Sequence, residues 1–402
     1  MLFKHSVRDS KAPVPRVAFV TSHPIQYQVP VFRHLAERKD LQFEVLFAML
    51  PDSAAQGAGF GVEFEWDIPL LEGYVYSVLN NVAAQPGVTY YKGCDTPEIA
   101  AELKQRKIDA VVVNGWVVKT CLQTLKACRK LGIPCIVRGE ANNLRPRPLW
   151  KRLIQRQLVR RYDAYLPIGT ASRNFYRGYG VKDSVMFNAP YCVENDRFAK
   201  AAQSKRGHES AIRALWGVPD DVVCFLFCGK FETKKHPVEL IESVRHAVDS
   251  GARFHLLMVG DGDLKKQCKA IVDRYHLPVT FTGFLNQSKI VDAYVAADVL
   301  TLPSDHGETW GLVVNEAMAC GLPAIVSDQV GCAFDLIVQD QTGWVFKSGD
   351  WSALAKLLGK IAGTPSCIQG MDNKCRRKIE DYSPLVAANG IAEAIQHACA
   401  IG

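Results

Sequence analysis

The chain has 402 residues, 48% of them hydrophobic and 22% charged, which is too long for one core of ordinary size and sets two domains as the expectation. Its net charge of +7 is modest, and no apolar run reaches the 18 or more residues of a membrane-spanning helix. Thirteen cysteines, an odd number, fall mostly inside apolar runs (Cys135, Cys224, Cys228, Cys320) with no Cys-x-x-Cys pair and no zinc-ligand spacing, which predicts reduced thiols packed as small hydrophobes in a cytoplasmic protein.

Residues 1–13 read as a disordered lead without a signal-peptide core. Arg16–Thr21 is a first buried strand, followed by the turn Ser22–Tyr27, a helix carrying Val31, Phe32 and Leu35, and the strand Phe43–Phe47. This strand-loop-helix-strand opening is that of a parallel, doubly wound sheet. Residues 51–66, with Gly57, Gly59 and Gly61, read as a long mobile loop, a length usually tied to function or disorder. Further strands are predicted at 108–113, at 133–137 (ending in Arg138-Gly-Glu140) and at 164–168. Helices are predicted through Leu122, Leu125 and Ala127 and through Leu149, Leu153 and Leu158. Met186–Val193 carries the chain out of this half. Residues 199–212 read as a linker, after which the pattern restarts with strands at 223–228, 254–259, 279–283, 298–302, 323–327 and 342–346. Two successive α/β halves follow, and in such folds ligands bind beyond the carboxyl ends of the strands, so the cleft between the halves is the expected site.

The most informative stretch is Ser304–Pro323, Ser-Asp-His-Gly-Glu-Thr-Trp-Gly-Leu-Val-Val-Asn-Glu-Ala-Met-Ala-Cys-Gly-Leu-Pro. It places Glu308 in a loop and Glu316 in the second turn of a helix beginning near Gly311. The backbone N–H groups of Trp310, Gly311 and Leu312 would face outward from the helix start, a ready anion site, and Gly307 and Gly311 allow close approach to the main chain. A carboxylate two turns into that helix suits hydroxyls better than phosphate. An arbitrary Glu-x7-Glu is usually a solvated surface pair. Here the whole run, from Pro303-Ser304 to Gly321-Leu-Pro323, resembles the Glu-x7-Glu motif of retaining glycosyltransferases of the GT-B fold, in particular family 4.

The resemblance implies a fold and a set of roles. The fold would be GT-B, an α/β architecture of two Rossmann-like, doubly wound parallel-sheet domains facing across a cleft. The acceptor domain would span 14–198, the nucleotide-sugar domain 199–380, and a last helix, 381–402, would cross back to the first. Glu316 would hold ribose hydroxyls and Glu308 those of the transferred sugar. Phe227–Pro237 looks like the family's cation-bearing loop, here with Gly229, Lys230 and Lys235; Lys230 stands where Arg is more usual, a point charge in place of a fork. Donor contacts are further implied at Gly307, Thr309, Trp310, Gly311 and Leu312, and at Gly283 and Phe284 near the base. Met258–Leu264 is similar to the family's Val-Gly-x-Gly turn, so Asp261 and Asp263 read as turn residues rather than a metal site.

The first half matches more loosely. Its first strand ends in Ser22–Pro30 without the family's Gly-Gly, leaving His23, Gln26 and Tyr27 as side chains able to meet sugar or acceptor, and His23 as a proton carrier. Arg138 and Glu140 stand where many relatives carry a His; Glu140 either accepts substrate hydroxyls or pairs with Arg138. Arg152, Arg156 and Arg160 share one helix face, a solvated surface or, with Trp150, a contact for an anionic membrane. The implied activity is retaining transfer from a nucleotide-diphosphate sugar, UDP before GDP, to a hydroxyl of a glycan, glycolipid or small molecule. It would need no metal, no cofactor and no nucleic acid. Another GT-B enzyme such as an epimerase, and a non-catalytic nucleotide-sugar binder, are the alternatives.

Overall fold

The computed structural model describes residues 14–51 and 64–401; the predicted lead at 1–13 and most of the loop at 51–66 lie outside them. Two six-stranded sheets form, in the orders β3-β2-β1-β4-β5-β6 and β12-β11-β10-β7-β8-β9. In chain order the strands are β1 (Arg16–Thr21), β2 (Gln42–Phe47), β3 (Val75–Val78), β4 (Ala110–Asn114), β5 (Cys135–Gly139), β6 (Ala164–Pro167), β7 (Val223–Cys228), β8 (Phe254–Val259), β9 (Val279–Gly283), β10 (Val299–Leu302), β11 (Ala324–Ser327) and β12 (Gly343–Phe346). All pair in parallel. The continuous apolar runs of β1, β4, β7 and β8 follow from burial on both faces: Val17–Val20, Val111–Val113 and Cys224–Phe227 have no exposed surface. Each sheet reverses strand order once, at β1/β4 and at β7/β10, and that reversal opens the crevice where α/β folds take ligands.

Two features differ from the sequence reading. The edge strand β3 was not predicted; it is short and mostly exposed, so its residues carry no buried periodicity. The stretch 199–212 is not a linker but helical, in Asn195–Lys205 and Glu209–Leu215. Phe198 and Ala202 from the first of these helices are buried in the core of the second domain. Met186–Val193 forms no strand beyond one isolated bridge, Tyr165 to Met186.

The last helix, Pro384–Ile401, packs on the first domain. Ala387, Ala388, Ile391, Ala392, Ala394 and Ile395 are buried against Val17, Phe32 and Ile136, and burying each isoleucine contributes about 1.5–3 kcal/mol. Gly390 lets the helix touch the chain that leaves the first domain, since a Cβ there would lie 1.8 Å from the Asn188 carbonyl oxygen. Between the two domains, Thr170 of the first gives both its N–H and its hydroxyl to the Asp335 carboxylate of the second. Among the described residues no helix is long and apolar enough to cross a membrane.

Candidate active site between the two domains

The second domain contributes a cavity of ≈360 Å³ at the ends of β7 and β8. Main chain forms its floor because Gly229 (φ +155°) and Gly260 (φ +128°) take conformations other residues avoid. A Cβ on Gly260 would sit 2.0 Å from the Gly229 carbonyl oxygen. Lys230 and Lys235 line this cavity. Burial pushes the Lys230 ammonium below its ordinary value; Glu232 opposes the shift, and the neighbouring charges of Lys234 and Lys235 add to it. Lys235 Nζ donates to Glu308 Oε2, and both side chains are more than four-fifths shielded. Thus Glu308 and Lys235, seventy-three residues apart in sequence, meet as a partly buried ion pair beside the cation-lined cavity.

Glu316 also lines this cavity. It accepts a hydrogen bond from Tyr294 Oη at 2.6 Å. Burial raises its carboxyl above the ordinary range, while hydrogen bonds from Tyr294 and Gln287 and the charge of Arg197 hold it down. Its helix runs from Leu312 to Ala319 behind a left-handed Gly311 cap (φ +101°). The amide of Val314 is already bonded to the Gly311 carbonyl. Leu312 and Val313 line the cavity, and Trp310 and Gly311 do not. The Trp310 side chain is buried; its indole Nε1 donates to Asn315 Oδ1 at 2.8 Å, and Asn315 in turn donates to the Tyr191 carbonyl of the first domain. Trp310 is therefore a tie between domains. Phe284 and Leu285 line the cavity while Gly283, just before them, does not. The Phe284 ring stacks 4.3 Å from Phe64.

Gly307 and Thr309 face elsewhere. They close a second cavity, of ≈410 Å³, whose other walls come from the ends of β1, β4 and β5, among them Ser22, Trp116 and Glu140. Glu140 does not ion-pair with Arg138. It accepts from Tyr191 Oη at 2.5 Å, from Tyr27 Oη at 3.3 Å and from Thr309 Oγ1 at 2.8 Å, so both carboxylate oxygens carry protein hydroxyls and one contact spans the cleft. Tyr27 is correspondingly tied by its hydroxyl to Glu140 and Tyr191. Arg138 is buried under Tyr191, its guanidinium carbon 5.0 Å from the ring centre, and Nη2 donates to the Pro190 carbonyl.

His23 lies in neither cavity. With Gln26 and Lys230 it borders a third, of ≈470 Å³; Gln26 and Lys230 also reach the first. Its Nδ1 is 2.8 Å from Ser22 Oγ, and burial lowers the imidazole to about 4. At neutral pH it is an uncharged hydrogen-bonding group, a poorer base than the sequence reading allowed.

The structure adds residues the sequence reading passed over. Arg197, two residues before the supposed linker, donates to Gln287 Oε1 at 2.6 Å and lines the first cavity beside Glu316. Trp66 and Ile68 reach the same cavity from the first domain. Their segment is pinned to the second domain where Asn286 donates to the Glu65 carbonyl at 2.7 Å and Ser288 N–H to the Asp67 carboxylate. Trp66 at the end of a Gly-rich stretch was the available signal. Tyr294 had none. Asp261 meets Lys265 and the Gly262 amide, in keeping with a strand-to-helix turn.

Residues 209–379 match the family model described as glycosyl transferases group 1. Similar curated proteins include the GDP-mannose-dependent alpha-(1-6)-phosphatidylinositol dimannoside mannosyltransferase of Mycobacterium tuberculosis, 33% identical over 29% of this chain and 30% of that one. The D-inositol 3-phosphate glycosyltransferase of Xylanimonas cellulosilytica is 28% identical over 45% and 44%, and the 2-deoxystreptamine glucosyltransferase of Streptomyces kanamyceticus 27% identical over 52% and 49%. The chain thus aligns with less than half the length of each of these relatives. Among solved structures, Anabaena HepE in complex with UDP superposes with a TM-score of 0.70 at 15% identity over 95% of this chain and 99% of that one. A glycosyltransferase from Rickettsia africae does so at 0.71 and 14%, over 96% and 99%.

Proposed function

We propose that this chain, whose fold is GT-B and whose second domain belongs with the glycosyl transferases group 1, moves a sugar from a nucleotide-diphosphate donor to an acceptor hydroxyl with retention of anomeric configuration. The observation that carries the reading is the cavity in which Glu316, Lys230 and Lys235 converge, with Glu308 paired to Lys235 at its edge. When the bond between the anomeric carbon and the diphosphate oxygen breaks, negative charge grows on the leaving diphosphate. Lys230, Lys235 and the helix start at Leu312 and Val313, all lining the cavity, stabilise it as fixed electrostatics. Glu316 accepts from the ribose hydroxyls and Glu308 from those of the departing sugar. The acceptor oxygen attacks the same face of the anomeric carbon, and its proton passes to the leaving phosphate oxygen. With the countercharge supplied by the lysines and the helix start, transfer proceeds in EDTA.

UDP is the favoured donor base and GDP the next, the former bound in the Anabaena neighbour and the latter used by the mycobacterial relative. Thermal unfolding with UDP, GDP, ADP and dTDP in turn tests the donor site. A nucleotide at 100 times its dissociation constant adds ~2.7 kcal/mol of stability, and no shift with any of the four would favour a non-catalytic fold. Release of nucleotide only when an acceptor is present separates transfer from epimerisation.

The first domain also rests on a lipid surface in this reading. The helix Leu149–Val159 exposes Leu149, Trp150, Leu153 and Ile154. Arg152, Arg156 and Arg160 flank them, and residues 141–162 contain no Asp or Glu. Apolar side chains beside unopposed cations suit an anionic bilayer. Co-sedimentation with phosphatidylglycerol vesicles but not with phosphatidylcholine alone, abolished by Leu153→Glu, is expected; equal binding by the variant would end this part of the reading.

A further inference from the structure

The second cavity carries a charge imbalance that the donor chemistry leaves unused. Its walls hold Arg138, Arg145, Arg147 and His306 against a single carboxylate, Glu140, and Glu140 is already taken by three hydroxyls. Among the described residues none of the three arginines forms an ion pair with a carboxylate. Arg138 is 1% exposed, and its Nε and Nη1 have no hydrogen-bond partner. Arg147 donates Nη1 to the Asn142 carbonyl at 2.6 Å and lies 5.3 Å from the Phe175 ring centre. Burial pushes its guanidinium below the ordinary value, opposed by Tyr179 and reinforced by the charge of Arg145. Arg145 is exposed at the rim. Unpaired buried donors and like charges held together both cost free energy, and an entering anion relieves both. A guanidinium fork fits carboxylate and phosphate alike.

The position of this cavity says which substrate would bring the anion. It shares no lining residue with the donor cavity, so the donor diphosphate does not fill it. Gly307 and Thr309, the two neighbours of Glu308, form the wall opposite Arg138. A molecule held there has a hydroxyl within reach of the loop that carries Glu308.

We propose that this cavity is the acceptor subsite and that the acceptor bears an anionic oxygen group, phosphate or carboxylate, gripped by Arg145 and Arg147 with Arg138 setting the potential from behind. This rests on the glycosyl-transfer reading and adds the class of acceptor.

The test uses the full chain saturated with whichever nucleotide binds, so that the donor cavity is occupied. Inorganic phosphate, glucuronate, dihexanoylphosphatidate and glucose are titrated separately and followed by calorimetry. At least one anion is expected to bind wild type while glucose does not. Arg145→Gln/Arg147→Gln should weaken that binding about tenfold or more, the loss of a charge-assisted contact, with nucleotide affinity unchanged. The exposed Arg145→Gln alone, which leaves the fold undisturbed, should weaken it in the same direction. Tighter binding of dihexanoylphosphatidate than of phosphate identifies a lipid acceptor, and the reverse a soluble one. Failure of all three anions to bind the nucleotide-saturated wild type, or equal binding by the double variant, overturns the subsite. Failure of every nucleotide to bind overturns the donor reading first, so the two failures are distinguishable.

Discussion

The two domains share one topology and use it differently. In the second, the strand ends turn on glycines, Gly229 and Gly260, so that main chain forms the floor of the cavity, and charged side chains (Lys230, Lys235, Arg197, Glu316) line it. In the first, the equivalent ends carry Ser22, His23, Tyr27, Arg138 and Glu140, with Ser22 bonded to His23 and Glu140 to Tyr27 and, across the cleft, to Thr309. A surface of backbone and fixed cations suits the part that donors have in common, a diphosphate and a ribose. A surface of side chains can be altered residue by residue, which suits the part that acceptors do not share. On the proposed reading, one domain would recognise the common group and the other the variable one.

Breaking the donor side should therefore have the largest effect. Lys235→Ala removes a charge aimed at the leaving diphosphate and frees Glu308 from its partner. Loss of one such group costs about 10²–10³ in kcat, and a wild-type turnover in the variant would exclude the assigned role. Lys235→Arg tests whether a point charge is required, because the floor under the lysine is tight: Gly229 Cα already faces the Lys235 chain, with 2.9 Å left to Lys235 Cδ for an added Cβ.

Next comes Glu316→Ala. A carboxylate accepting from two ribose hydroxyls contributes about 1.5–3 kcal/mol through each charged hydrogen bond when fully formed, so nucleotide affinity should fall about a hundredfold. Tyr294→Phe, which leaves the carboxylate in place but removes the 2.6 Å hydroxyl that orients it, should cost less. The pattern reverses if Glu316 serves only the core: nucleotide affinity then stays constant while both variants lose stability.

How much of this was legible follows the same division. The parallel strands and the Glu308–Glu316 segment were readable because their signals are local: uninterrupted apolar runs for strands buried on both faces, and a loop-helix junction within twenty residues. The site on the first domain was not, because it is assembled from Tyr27, Glu140, Tyr191 and Thr309, which meet only after both domains have folded and closed. Nothing near Glu140 in sequence indicates that it will be satisfied by hydroxyls rather than by Arg138 two residues away, since residues two apart along a strand share a face. The supposed linker failed for a related reason. Its Lys- and Ser-rich face is solvent-exposed, and the residues that dock it, Phe198 and Ala202, are too few to give a period by themselves. Leu149 and Leu153 of the Leu149–Val159 helix face outward while Leu158 packs against the core, since a periodic apolar stripe specifies a face and not what covers it.

The smallest effect, and the one that separates a structural from a catalytic histidine on the first domain, is in the pH dependence of stability. Burial holds the His23 imidazole at about 4 in the folded chain, against an ordinary value of 6.5. Between those values the unfolded chain binds a proton that the folded chain does not, so stability rises with pH across that window. The contribution is complete above pH 6.5 and is lost as pH falls toward 4. The full shift would correspond to about 3 kcal/mol, and with the ring partly open to solvent roughly 2 kcal/mol is expected. His23→Gln keeps a polar partner for Ser22 without the titration, so its unfolding free energy, measured by urea at half-unit steps across that window, should lack that slope relative to wild type. Parallel curves for the two proteins would mean that His23 titrates normally and is open to a protonated role at the cleft. A difference confined to the window would mean that it is neutral at pH 7 and a much weaker base than an ordinary imidazole, which favours the leaving phosphate over His23 as the group that takes the acceptor proton.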